Sequence, residues 1–120
     1  MARRKAERDP VLDALEQLVK ALEQGIGRLE SAMQLALEMR ERRLVGETYQ
    51  EIEEATDGPS VSDILTTNLL VLQSKGRRLR QAGARALRKE GLTLAEIAEV
   101  FGVTHQRVSA LLKEDGPAGS

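Results

Sequence analysis

The side chains able to do covalent chemistry are few. Among 120 residues there is one histidine, His105, and no cysteine. That excludes disulfides, thiolate metal sites and cysteine nucleophiles. A single histidine also argues against a histidine-rich metal centre and against a Ser/His/Asp relay. No glycine-rich phosphate loop and no nucleophile motif occurs. Glutamates are plentiful, and the pairs Glu47/Glu51 and Glu51/Glu54 share helix faces. Carboxylates without histidine partners read as a solvated surface. The chain is expected to bind rather than to catalyse, with no metal and no cofactor.

Binding chemistry concentrates near the C-terminus, where residues 104–113 read Thr-His-Gln-Arg-Val-Ser-Ala-Leu-Leu-Lys. On a helix over 105–113, burying Val108, Leu111 and Leu112 turns Gln106, Ser109, Ala110 and Lys113 outward. A glutamine amide can bond an adenine edge in bidentate fashion, and an alanine can pack on a thymine methyl. Arg107 lies on the flank, within reach of a guanine or a phosphate, unless it pairs with Glu96 or Glu99. His105 is either a further base reader or a partly exposed flank residue. Thr93 and Thr104 are helix caps first, but their hydroxyls and the free N–H groups beside them also suit phosphate oxygens. Double-stranded DNA is the expected partner.

The elements that must hold these groups are legible as well. Gly91 ends a long helix as a left-handed cap, with Leu92 packing back on it. Thr93-x-x-Glu96 is a capping box opening a helix of about eight residues. Gly102 closes that helix with a positive φ, and Thr104 caps the next, which runs to about Lys113. Ala98 is small where two such helices cross. Ile97, Val103, Val108 and Leu111 fall where a three-helix core must be filled. Two short helices around a tight turn make a helix-turn-helix layout, over residues 84–114.

Thr-Leu-Ala-Glu-Ile-Ala at 93–98, followed by Phe-Gly-Val-Thr-His-Gln-Arg-Val-Ser at 101–109, resembles the C-terminal promoter-reading domain of bacterial sigma factors. It is similar also to small actinobacterial helix-turn-helix proteins that carry this tail behind a helical region. The resemblance covers residues 84–113, under a third of the chain. It implies a recognition helix in the major groove, with the base-reading positions falling on His105, Gln106 and Ala110. The sigma pattern has Arg, Glu and Gln at those places. The sigma regions that bind core polymerase and melt DNA have no counterpart, so the resemblance implies a reading head and not a sigma factor.

Upstream, Asp9-Pro10 starts a helix. Val11, Leu15, Leu18, Leu22, Ile26, Leu29, Met33 and Ala36 then recur at steps of three and four, predicting one buried face to about Arg43. Gly25 and Gly27 leave room for a close neighbour. Thr48-x-x-Glu51 caps a short helix with Tyr49 and Ile52 facing inward. Asp57-Gly58-Pro59 is a turn, and Ser60-x-x-Asp63 opens a second long helix striped by Leu65, Leu69, Leu72, Gly76, Leu79, Gly83 and Ala86. Two matched helices on a short connector predict an antiparallel, coiled-coil-like hairpin over 10–90. Its uncovered apolar surface predicts a homodimer.

The net charge of −1 hides a split between the halves. Residues 1–57 carry nine basic and thirteen acidic groups, while residues 58–120 carry nine and six. The excess gathers in Lys75, Arg77, Arg78, Arg80, Arg85, Arg88 and Lys89, which reads as a solvated helix face or as a phosphate-binding run. Of these, Arg78, Arg85, Arg88 and Lys89, with Lys113, are the phosphate candidates. Arg3, Arg4, Lys5 and Arg8 sit on a basic arm, 1–9, expected to be disordered, and 115–120 is expected to be a flexible tail. Uncharged runs fall far short of the ~20 apolar residues of a membrane span, and no signal-peptide layout occurs. A soluble, cytoplasmic, all-α DNA-binding regulator is the resulting expectation. Its rival is an adaptor whose hairpin binds RNA polymerase or another regulator while the head only tethers it. A small effector enclosed by the hairpin finds no converging polar groups.

Overall fold

The computed structural model describes residues 9–114; the predicted basic arm, apart from Asp9, and the tail 115–120 lie outside them. The described residues form five helices and no strand: α1 (Pro10–Leu44), α2 (Tyr49–Ala55), α3 (Val61–Lys89), α4 (Leu94–Phe101) and α5 (His105–Lys113). None of these helices is long and apolar enough to cross a membrane.

Local hydrogen bonds set the helix ends. The Asp9 carboxylate accepts from the N–H groups of Val11 and Leu12, at 2.9 and 3.3 Å. Ser60 and Asp63 exchange the reciprocal bonds of a capping box at the start of α3. Thr48 and Glu51 do the same for α2. Donation from the Thr48 backbone N–H, and then from its side chain, holds the Glu51 carboxyl below its ordinary value of 4.5. At the end of α3, Gly91 has φ +104°, and Leu92 N–H reaches back to the Leu87 carbonyl. That six-to-one bond and the left-handed glycine together close the last turn.

The described residues fall into two compact units. One comprises residues 9–19 together with 74–114, and the other is Lys20–Gln73. In the second unit α1 presents Ala21, Gly25 and Ala32 as buried positions, with Arg28 and Leu35 half-buried between and beyond them. On α3 the buried position is Asn68, whose carbonyl accepts from Arg28 Nη1 at 3.0 Å. Ile52 of α2 is fully buried. In the first unit Ala14 is buried, and Gln17 Oε1 accepts from Lys75 Nζ at 3.3 Å and from Arg78 Nη1 at 3.0 Å.

Three expectations are corrected here. The predicted apolar stripes form the inner face only in part: Leu15, Leu22, Ile26, Leu29 and Met33 on α1, and Leu65 and Leu69 on α3, are exposed, while Val11 and Leu18 on α1 and Leu72, Leu79 and Ala86 on α3 are half-buried. The inner face of α1 is offset from that stripe by one residue, and it is built from small side chains. Both series repeat at steps of three and four, so periodicity alone cannot separate them. Steric fit does, because alanine and glycine let helices approach where leucine holds them apart. Gly27 meets no neighbour, whereas a Cβ on Gly25 would stand 2.9 Å from Asn68 Oδ1. Tyr49 is exposed rather than inward. Its hydroxyl bonds the Glu53 carboxylate one turn on, which raises the phenol pKa above 10.0.

Two measurements test this packing. Gly27→Ala should stabilise the chain by about 0.5–1 kcal/mol through helix propensity. Gly25→Ala should destabilise it, because the added methyl displaces the Asn68 amide; urea unfolding of both variants reads the opposite signs. The lowered Glu51 carboxyl gives a pH test. The cap's contribution is complete above the ordinary glutamate value and is lost as pH falls through the depressed one. Protection factors of the α2 amides, taken relative to intrinsic exchange at each pH, should therefore fall on acidification through that window, and should not do so in Thr48→Ala.

Candidate nucleic-acid interface

The candidate surface lies on α5, and the sequence places it there through three local devices. Thr93 and Glu96 form a full capping box at α4, with bonds of 2.8 and 3.1 Å. Gly102 ends α4 at φ +69°, ψ +34°, and Val103 N–H returns to the Ala98 carbonyl. The left-handed conformation strains any residue with a Cβ. Two residues later the Thr104 hydroxyl accepts from Arg107 N–H at 3.0 Å and starts α5.

Packing then fixes which way α5 faces. Ile97 and Ala98 of α4, Val108 and Leu111 of α5, and Ala84 of α3 form one buried cluster. Leu87, Leu92, Leu94, Phe101, Val103 and Leu112 close around it. Burying Val108 and Leu111 leaves His105, Gln106, Arg107, Ala110 and Lys113 exposed and Ser109 half-buried. At 3.6 residues per turn, Gln106, Ala110 and Lys113 fall within about 60° of one another, opposite the core. Arg107 and His105 lie on the two flanks. No ion pair joins Arg107 to Glu96 or Glu99 among the described residues, so its guanidinium stays available. Thr93 and Thr104 are both exposed, and both act as caps.

The predicted phosphate contacts divide into two groups. Lys89 and Lys113 are exposed, and neither ammonium is engaged within the described residues. The arginines are held. Arg78 bonds Gln17, Arg88 Nη1 donates to the Leu92 carbonyl at 3.0 Å, and Arg85 donates to the backbone carbonyl of Glu114. Arg80 stacks over the Phe101 ring at 4.7 Å, and that ring packs where Gly83 has no side chain. Much of the basic run thus serves the fold as well as the surface.

Sequence reasoning missed Glu114, the residue just after α5. Its carboxylate accepts from Gln81 Nε2 and from Arg77 Nη2, the latter at 3.2 Å. Together with the Arg85 bond to its backbone, this ties the end of α5 to α3. The partners lie 29 to 37 residues away, so no local pattern announced them. Gln81 is buried, and Glu114 is the acceptor that satisfies its amide. Glu114→Ala should therefore cost about 1–3 kcal/mol by stranding that donor. Arg77→Ala, which removes an exposed ion pair, should cost under about 1 kcal/mol. Urea denaturation of the two variants distinguishes them.

No family model matches the chain, and neither a curated protein nor a solved structure does.

Proposed function

We propose that this chain is a non-catalytic, sequence-specific DNA-binding protein that acts in transcription regulation. In this reading α4 and α5 are a helix-turn-helix, and α5 enters the major groove. The observation that carries it is the outward face of α5: Gln106, Ala110 and Lys113 grouped opposite a closed core, with Arg107 unpaired on the flank. Helix-turn-helix proteins read bases with the N-terminal part of the second helix, where His105, Gln106 and Arg107 stand. Lys89, Lys113 and the capped N-termini at Thr93 and Thr104 supply phosphate contacts. The likeness of residues 93–109 to the sigma-factor promoter-reading domain points the same way.

Upstream, α1 and α3 are read as an antiparallel hairpin. The support is Gln17 against Lys75 and Arg78, with Arg28 against Asn68. A homodimer built on it presents two copies of α5 to half-sites about one turn, ~34 Å, apart.

Selection of bound fragments from genomic DNA at ~150 mM salt tests the reading. An inverted repeat is the expected result. Recovery of no motif, with binding that fades as salt rises, overturns it. On the recovered site, Gln106→Ala should cost about 1–3 kcal/mol and relax preference at one base pair. Lys89→Ala should weaken binding to every sequence alike and lower the salt slope by about 1. Equal losses on operator and random DNA for Gln106→Ala would sink the base-reading role.

A further inference from the structure

The unit Lys20–Gln73 has an unusual imbalance between what it buries and what it leaves in water. Its buried side chains are Ala21, Ala32, Ile52 and Asn68, so Ile52 is its single large apolar residue in the interior. Meanwhile Leu22, Ile26, Leu29 and Met33 on α1 are 44, 59, 47 and 55% exposed. Leu65 and Leu69 on α3 are 46 and 57% exposed. Leu35, Met39, Ile64, Val71 and Leu72 are only half-buried, which makes a thin core for a helical unit this small.

The exposed side chains are ordered as a seam. The four on α1 follow steps of four, three and four, and they fall within about 60° of the helix circumference. No charged residue interrupts the register from Leu22 to Ala36; the first one there is Arg40. Glu23 and Glu30 border the row on the side away from the buried Gly25 and Ala32. An apolar centre free of charge with a charged border is the composition of an interface core and its rim.

We propose that this row, with Leu65 and Leu69, is the surface on which a second copy of the chain docks. The inference rests on the pairing of copies in the function proposed above and names the residues that make it. Area decides for a copy of the same chain. The six side chains expose on the order of 600 Å² of apolar surface, at the top of the ~300–600 Å² range of patches on ordinary monomers. Homodimer interfaces are ~65% apolar, so 600 Å² corresponds to roughly 900 Å² per partner, the size of a standard stable interface. A closed two-fold pairing covers the same row on both copies at once and leaves none in water. The alanine face inside each copy and the leucine face between copies are then two seams of one helix.

Sedimentation equilibrium of the full chain over micromolar concentrations tests this. The expected mass is twice the 13.2 kDa of one chain. Leu29→Ala should weaken association at least about tenfold, and Ile26→Glu should abolish it. Leu70→Lys, about 100° around α3 from Leu69, should leave the dimer intact. If Ile26→Glu loses its helical signal, the Leu29→Ala result decides. A wild-type chain that stays monomeric overturns the inference and leaves the row to a different protein. So does a dimer indifferent to Leu29→Ala, or one dissolved by Leu70→Lys. The measurement contains no DNA. A dimer that selects no operator therefore refutes the DNA-binding reading alone, and a monomer that selects one refutes only the seam.

Discussion

Close contact between helices through side chains of almost no bulk is the constraint on which the rest of this structure depends. Ala14, Ala21, Gly25 and Ala32 line the buried face of α1, and Ala84 sits at the centre of the cluster that holds α4 and α5. A chain with one tyrosine, one phenylalanine and no tryptophan has no aromatic bulk to fill wide gaps. Its helices must meet closely or leave voids, and voids forfeit dispersion contacts. Small residues at the crossings are the solution this sequence adopts. Their consequence is that the leucines, one residue further round, have nowhere inside to go.

Polar groups then pin what the small residues allow. Asn68 is buried yet bonded to Arg28, and Gln81 is buried yet bonded to Glu114. No buried side-chain polar atom among the described residues lacks a partner. A buried amide tolerates little displacement of its partner before the bond is lost, so each of these contacts fixes a register that sliding alanine faces leave loose. Around α4 and α5 the same logic explains the basic run. Arg77, Arg80 and Arg85 are spent on Glu114 and Phe101, orienting the end of α5 and the ring beneath it. The cationic side chains left uncommitted are Lys89 at the end of α3, and Arg107 and Lys113 on the helix that carries Gln106.

The local architecture was legible from residue order. The starts of α1 to α5 follow Asp9, Thr48, Ser60, Thr93 and Thr104, because a capping side chain bonds N–H groups two or three residues away. The positive φ at Gly91 and Gly102 is likewise local. The outward face of α5 was legible too, since burying Val108 and Leu111 on a helix leaves no choice about Gln106 and Ala110. These features involve separations of a few residues, and spacing suffices to derive them.

Tertiary structure decided everything that depends on fit. Two stripes on α1, one of leucines and one of alanines, have the same period and differ by one residue. Hydropathy favours the first, while the distance at which helices touch selected the second. The same holds for Gly25, which meets Asn68, against Gly27, which meets nothing. It holds again for Glu114, whose partners lie on a different helix more than two dozen residues back. The sequence by itself determined where helices begin, where they end and which face of the last one is polar. Only the packed chain decided which apolar face is inside, because close approach is a relation between two surfaces and no single stretch of sequence contains both.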